Sequence, residues 1–409
     1  MARLVFFFPF MNESGVPVLF ANLANQIAKK GIYVSVIDYL DGVISRRIDT
    51  NEFIQLIPFE DGKFLRLNGD VILVQQSIVP YTMRPELVLG SEVRLLFWNL
   101  HPSNLIPVII PLPFIRRFES RLSYYKFLSF LNPKTLRAMR SFIREALSKK
   151  SLIFMDGVNV KMTNKFLSMS FSVNDFLQVP SKVVFSESKR SLEEVIQITW
   201  VGRLCDFKIW ILHHTIQRLD NICKIRAWKI NVNVIGSGTF EHVIRSYRAS
   251  SSSLTINYLG ELNMNQLEDF LVRDTDIFIG MGTAALEAAS LKIPTILCGY
   301  SYEAVDNDYI YNWLYESTDY SLGDHIDKSN TENNNKSLEK RIEEVLLNKN
   351  HFGFQCREYV NTYHRIDNIA DRFLILSELA ELKYENIERL VKRKSLLRRI
   401  YNVLKYKIL

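Results

Sequence analysis

At 409 residues the chain is long enough for two domains of ordinary size, and its 47% apolar and 23% charged residues exclude a disordered or low-complexity protein. The formal charge of +7 points to an acidic partner: nucleic acid, an anionic membrane or a phosphorylated substrate. Four scattered cysteines without a CxxC pair argue against a disulfide framework or zinc site and suit a reducing cytoplasm, and no stretch reaches the ~18 apolar residues of a membrane span.

In chain order, short apolar runs alternate with helical patterns, the signature of parallel sheets with crossover helices. "RLVFFF" near the start reads as a first buried strand rather than a signal peptide. Residues 17–30, "PVLFANLANQIAKK", have helical period and stop at Gly31. "YVSVID", "FIQLIPF", "DVILVQQ", "RLLFWNL" and "SLIFMD" complete the first series of strands. A polar, Ser-rich stretch at 180–194 reads as a linker. A second series follows, "VIQITWVG", "INVNVIG", "LTINYLG", "DIFIGMG" and "PTILCG", with helical patterns at 208–219 and 283–292. The Asn-rich stretch at 327–341 reads as a loop, and no repeat of 20–50 residues is found. The pattern predicts an α/β protein of two doubly wound Rossmann-like domains facing across a cleft, with ligands at the carboxyl ends of the strands. The expected division is 1–185, 186–370 and a C-terminal basic helical segment at 371–409.

Three strand ends of the second half carry the chemistry. In "ITWVGRLCDFK", Arg203 follows the strand and Lys208 opens the next helix; a guanidinium fork and an ammonium suit a diphosphate, and also suit the surface of a βα loop. In "VNVIGSGTF", Gly236 and Gly238 let backbone approach a ligand closely, or simply turn tightly; the full GxGxxG fingerprint fails at Glu241. In "DIFIGMGTAALEAAS", Gly280, Gly282 and Thr283 end a strand and start a helix whose free N–H groups suit phosphate. Glu287 lies four residues past Thr283, on the same helical face, in a helix whose alanines read as buried. A buried carboxylate needs a partner, and a ligand's hydroxyls would serve.

Together these three sites resemble the nucleotide-sugar half of GT-B glycosyltransferases, most of all glycosyltransferase family 4 and its relatives in bacterial surface-polysaccharide (O-antigen and capsule) synthesis. The motif order covers about 195–300 well. By resemblance Arg203 and Lys208 hold the donor diphosphate with the loop at Gly282 and Thr283, Gly236 and Gly238 form the nucleotide loop, and Glu287 binds the ribose. The family has a second glutamate eight residues earlier, near the transferred sugar; here Ile279 stands there, followed by Gly280-Met281-Gly282. A family-like enzyme would retain stereochemistry, a point that Ile279 leaves open. The loop "FMNESGVPVLF" resembles the family's first strand-loop-helix, with Gly15 as the phosphate- or acceptor-facing position and Asn12 and Glu13 as weaker ones. His101, after "LLFWNL", matches the family's histidine by the transferred sugar and is the expected catalytic residue.

Residues 105–150 are basic, with Arg116, Arg117, Arg121, Lys126, Lys134, Arg137, Arg140, Arg144, Lys149 and Lys150 against only Glu119 and Glu145. Phe114, Phe118, Tyr124, Tyr125, Phe127, Phe130 and Phe142 are interleaved among them. The terminal "LVKRKSLLRRIYNVLKYKIL" has no acid, and Leu390, Leu397, Tyr401, Leu404 and Ile408 at helical spacing. Such segments lie on anionic bilayers, bind single strands, or pack as solvated helices on their own domain; two of them favour the bilayer. Asp274-Thr-Asp276 and Asp306-Asn-Asp308 imitate a metal motif, but with two cations and a helix start available for diphosphate no metal or other cofactor is expected. The adjacent His213 and His214 cannot face one ligand together.

The expected function is transfer of a sugar from a nucleotide-diphosphate donor to a lipid-linked oligosaccharide acceptor. The expected setting is the cytoplasm, peripheral to the inner face of the cell membrane, without nucleic acid. The alternative is a non-catalytic sugar-nucleotide or polysaccharide-binding subunit on the same scaffold.

Overall fold

The computed structural model describes residues 2–12, 14–107, 126, 130, 133–181, 191–306, 308–326 and 336–391. Glu13, most of the basic 108–132 stretch, most of the linker, the Asn-rich loop and the C-terminal run from 392 lie outside the described residues. Two compact units form, one from residues 1–180 together with 366–409 and the other from 181–365. The chain therefore leaves the second unit after Arg365, and Ile366 onward belongs to the first.

In the first unit, strands β1 (Arg3–Phe7), β2 (Val34–Asp38), β3 (Ile54–Pro58), β5 (Val71–Gln76) and β7 (Arg94–Asn99) lie in the order β7-β5-β1-β2-β3, all parallel. Two short strands, β4 (Leu65–Leu67) and β6 (Leu87–Leu89), pair separately. β1 and β2 are buried almost throughout because helices cover both faces, which is why they read as continuous apolar runs rather than alternating ones. Helix α1 (Gly15–Lys29) buries Leu19, Phe20, Leu23, Ala24 and Ile27 on the sheet, and Gly31, in the left-handed region at φ 74°, ends it as predicted. On the other face α2 (Pro133–Ser148) and α3 (Gly157–Leu167) follow β7 and flank β8 (Leu152–Phe154), which pairs with the second half of β7.

The return of the chain to this unit has a packing cause. Phe373 of α9 (Ile366–Glu378) stacks on Phe6 with centroids 5.5 Å apart and lies 6.1 Å from Trp98, so β1, β7 and α9 share one aromatic core. Lys30 pairs with Asp371 at 2.8 Å, and Arg372 donates to Gln178 and to the Phe176 carbonyl. β15 (Leu382–Lys383) then pairs antiparallel with the first half of β7, and α10 (Tyr384–Val391) packs against α2.

The apolar side of α2 is not a bilayer face. Leu136, Met139, Phe142, Ile143 and Ala146 are buried in the core of the unit, because a helix that follows a strand must cover its sheet. Leu390, expected on the bilayer-facing stripe of the C-terminal segment, also packs on this core. What remains outside is the basic side of α2, with Lys134, Arg137 and Arg144 exposed, and Phe130 just before it 84% exposed.

The second unit is a sheet in the order β11-β10-β9-β12-β13-β14, from β9 (Val195–Val201), β10 (Lys229–Ile235), β11 (Leu254–Gly260), β12 (Ile277–Gly280), β13 (Thr295–Leu297) and β14 (Asn312–Trp313). All pairs but β13–β14 are parallel. The crossover helices are α4 (Ile209–Arg226), α5 (Glu241–Arg245), α6 (Met264–Asp274) and α7 (Thr283–Ser290), and α8 (Leu338–Tyr363) packs beside α7. The first strand of the unit, β9, sits between β10 and β12, so the winding reverses there, and ligands of such sheets sit at the carboxyl edge of that reversal.

Among the described residues, Asp276 in the second unit and Asp38 in the first are the carboxylates with no exposure at all. Asp276 accepts from Lys349 at 2.7 Å and from the Gln197 N–H at the amino edge of the second sheet. Asp38 ends β2 and accepts from the backbone N–H groups of Phe10, Tyr39, Ile44 and Ser45 at 2.8–3.2 Å. It thereby ties the loop after β1 to the loop after β2. Replacing Asp38 with Ala leaves these donors without their acceptor, so Asp38→Ala is expected to cost about 3 kcal/mol or more. Urea unfolding checks this, and hydrogen exchange should lose protection first at Phe10 and Ile44.

Candidate donor-phosphate site

The carboxyl edge of the second sheet gathers three of the predicted motifs, because β10, β9 and β12 are consecutive strands about 5 Å apart. Arg203 leaves β9 through Gly202 and is exposed. Lys208 is half-buried at the start of α4, its Nζ 3.3 Å from where a β carbon on Gly202 would stand. Neither cation has an ion-pair partner among the described residues. Burial lowers the Lys208 pKa from the ordinary 10.5, the Cys205 thiol partly opposing the fall and the Arg203 charge adding to it.

The glycines of "GSG" have a structural task. A β carbon on Gly236 would stand 2.2 Å from the Gly202 carbonyl oxygen, and one on Gly238 would stand 2.3 Å from that of Leu204. Leu204 N–H donates to the Ser237 carbonyl, and Phe240 N–H returns a bond to Leu204. The loop after β10 is thus packed backbone to backbone on the loop that carries Arg203. Of the two tasks the sequence allowed these glycines, close approach to a ligand or a tight turn, the packing on the Arg203 loop is of the second kind, and it leaves the nucleotide role open.

At the end of β12, Gly282 caps α7 at φ 71°, ψ −151°, with open space where a β carbon would be. Its N–H is taken by the Leu322 carbonyl, at 2.8 Å. The Thr283 and Ala284 N–H groups have no acceptor among the described residues, so the donors that remain for an anion sit one residue later than the glycine. Ala285, Leu286, Ala288 and Ala289 are buried, while Thr283 and Glu287 are exposed together one turn apart. The shared face expected of Thr283 and Glu287 is present. The burial expected of Glu287 is not, since the helix turns its alanines to the sheet and its carboxylate outward. Ile279, by contrast, is 1% exposed within β12 and paired in register with Ile296. A core strand position holds it, and no carboxylate stands there.

The residues singled out in the first half lie in the first unit, at the carboxyl edge of its sheet. Gly15 opens α1 after β1, with open space around its α carbon. His101 follows β7, one strand removed from β1. Its ring is exposed, and Nδ1 accepts from the Ser103 N–H at 3.2 Å and lies 2.8 Å from the Ser103 hydroxyl. Desolvation by the surrounding protein lowers its pKa from 6.5, which keeps the imidazole neutral at pH 7, with Nε2–H the remaining donor. Asp38 was the residue that sequence reasoning missed; an acid closing a strand before "YLDG" was the available signal.

No protein-family model matches the chain, and no curated protein matches it. Solved structures do resemble it. A glycosyltransferase from Rickettsia africae ESF-5 matches at 11% identity and TM-score 0.53, covering 92% of this chain and 98% of its own. OtsA in its apo form matches at 12% identity and TM-score 0.54, covering 93% and 100%. Anabaena HepE in complex with UDP-glucose matches at 10% identity and TM-score 0.50, covering 92% and 99%. The chain has the fold these proteins share, two Rossmann-like α/β units of the GT-B type.

Two outcomes test the site. Gly236→Ala forces a methyl onto a carbonyl at a φ of 129° and is expected to cost about 2 kcal/mol or more in urea unfolding and to weaken any nucleotide held by Arg203. Because the Lys208 pKa is lowered, diphosphate affinity should fall with rising pH, beginning below the ordinary lysine value of 10.5, as the ammonium loses its proton. Lys208→Arg, whose charge persists, should flatten that fall in a calorimetric titration across pH.

Proposed function

We propose that this chain is a glycosyltransferase of the family-4 kind, moving a sugar from a nucleotide-diphosphate donor to a lipid-linked oligosaccharide in cell-surface polysaccharide synthesis. The observation that carries the reading is the pairing of two cations, Arg203 and Lys208, with the N–H groups of Thr283 and Ala284 at the reversal of the second sheet, none of which has an acidic partner or acceptor among the described residues. The departing diphosphate gains negative charge as the glycosidic bond breaks. A guanidinium, an ammonium and a helix N-terminus fixed in advance stabilise that charge without reorganisation. Glu287, exposed on the same helix, accepts from the ribose hydroxyls. In the first unit, neutral His101 donates from Nε2 to a hydroxyl of the transferred sugar, and Gly15 leaves room at the start of α1 for phosphate or acceptor. The balance of charge supplied by these groups makes a divalent cation unnecessary, so EDTA should leave turnover unchanged.

The GT-B fold and the resemblance of the three motifs support this reading, as does HepE, a protein of similar fold solved with UDP-glucose. The membrane part rests on charge. Lys134, Arg137 and Arg144 are exposed along α2 against a single acid, Glu145, which pairs with Lys149, and α10 packs beside it. Each such cation contributes about 1 kcal/mol at an anionic surface. No helix among the described residues is long and apolar enough to cross a membrane. The attachment proposed is peripheral, at the inner face of the cell membrane, and should be lost at high salt in co-sedimentation with phosphatidylglycerol vesicles.

A second reading, a non-catalytic sugar-nucleotide or polysaccharide-binding subunit, is favoured by one observation: the core position of Ile279, where a carboxylate near the sugar would be expected. Release of nucleoside diphosphate from a panel of nucleotide sugars, with lipid-linked acceptor extracted from membranes, separates the two. Turnover that falls about 10- to 1,000-fold in both Arg203→Ala and Glu287→Ala supports the transferase. Turnover unchanged in both would refute the site, and binding without any transfer would favour the subunit.

A further inference from the structure

Beside Lys208, at the carboxyl end of β13, three aromatic rings come together that the donor-phosphate reading leaves unused. Phe207 lies between the Arg203 loop and Lys208, whose Nζ is 6.0 Å from the Phe207 ring centre. Tyr300 and Tyr302 come from the loop after β13. The ring centres are 5.9 Å apart for Phe207–Tyr300, and 6.2 Å apart for Phe207–Tyr302 and for Tyr300–Tyr302. The two loops are joined by backbone, since Ser301 N–H donates to the Phe207 carbonyl at 3.0 Å. Tyr300 is held from its other side, its N–H on the Asp324 carbonyl and its carbonyl accepting from Ile326. The His325 ring lies 5.3 Å from that of Tyr300; Phe207 and Tyr300 are half-buried and Tyr302 is 41% exposed, so the cluster is a fixed platform that reaches the surface at Tyr302.

Its place along the sheet edge matters. A diphosphate at β9 and β12 has β10 and β11 on one side along the edge and β13 on the other, room for the two ends of a sugar nucleotide. The β10 side is lined by Gly236, Gly238 and a Ser237–Glu261 hydrogen bond, with the Phe240 and His242 rings stacked just beyond, 6.1 Å apart and inclined by 27°. The β13 side holds the rings. Their planes are steeply inclined, at 84°, 52° and 90°, so they form a corner rather than the parallel slot that sandwiches a flat base. A corner of ring faces fits a puckered ring that presents C–H groups on one side and hydroxyls on the other.

We infer that Phe207, Tyr300 and Tyr302 form the subsite for the sugar of the donor, stacking on its apolar face while Arg203 and Lys208 hold the diphosphate. The inference rests on the donor-binding reading above and adds to it the groups that distinguish a sugar nucleotide from the bare nucleotide. Tyr302 is the residue to change, because it is the most exposed of the three and its loss leaves the packing beneath intact.

Calorimetry on the whole protein, with UDP, GDP and ADP and with their glucose, galactose and N-acetylglucosamine conjugates, tests it. For the conjugate that binds best, Tyr302→Ala should weaken binding about 2- to 10-fold while leaving the matching diphosphate unchanged, and Tyr302→Phe should keep most of the difference. An equal loss for the diphosphate and its conjugate would overturn the inference and assign the rings to the base. No loss for either would overturn it as well. If the wild type bound none of the panel, the donor-binding reading itself would fall, a result distinct from either outcome with Tyr302.

Discussion

The second unit depends on one close approach of backbone to backbone. Where residues 236 and 238 would carry β carbons, the carbonyl oxygens of Gly202 and Leu204 already stand, 2.2 and 2.3 Å from those positions. No side chain fits between the loops, so they close on each other through main-chain hydrogen bonds. The loop bearing Arg203 therefore has one conformation, set by its neighbour on β10 rather than by its own sequence. Lys208, three residues past Cys205, inherits that position because its N–H bonds the Cys205 carbonyl and its side chain packs over Gly202. Preorganisation of two cations costs little at the moment of binding when the backbone under them is fixed in this way.

The first unit achieves the same end by different chemistry. There a carboxylate, Asp38, gathers four N–H donors from the loops after β1 and β2. Gly42 is part of the same device, since a β carbon there would collide with that carboxylate at 2.3 Å. Both sheets thus carry rigid loops on their carboxyl edges, one pinned by glycines and the other by a buried charge. The stability of each unit comes from elsewhere: from strands buried on both faces, and in the first unit from the aromatic core to which Phe373 returns.

Much of this was legible in the sequence, for definite reasons. Strands buried on both faces leave continuous apolar runs, so eleven strands of the two large sheets stood out, even β8 and β13 with three residues each. The strands missed are as short and lie elsewhere: β4 and β6 pair apart from the large sheets, and β14 and β15 are antiparallel edge strands. Glu287 shows where a local pattern misleads. Its alanine neighbours suggested a buried helix, yet a helix on a sheet buries only one side, and the 3.6-residue period puts Thr283 and Glu287 on the other. Phe142, counted among the bilayer-facing aromatics, is a core residue for the same reason: an amphipathic helix turns one face to its own sheet, and composition does not say which residues lie on it.

What the sequence determined by itself was the order of strands and helices, the residue types at each strand end, and the resemblance on which Arg203, Lys208 and Glu287 are proposed as one site. These are local matters, written in periods of two and 3.6 and in the spacing of glycines and charges. The tertiary structure alone decided which strand ends are neighbours. It gave Gly236 and Gly238 to the Arg203 loop, left the Thr283 and Ala284 N–H groups open, and brought Phe207 to the two tyrosines almost a hundred residues away. Such pairings follow from strand order and backbone contact, and neither is encoded in any single segment of the chain.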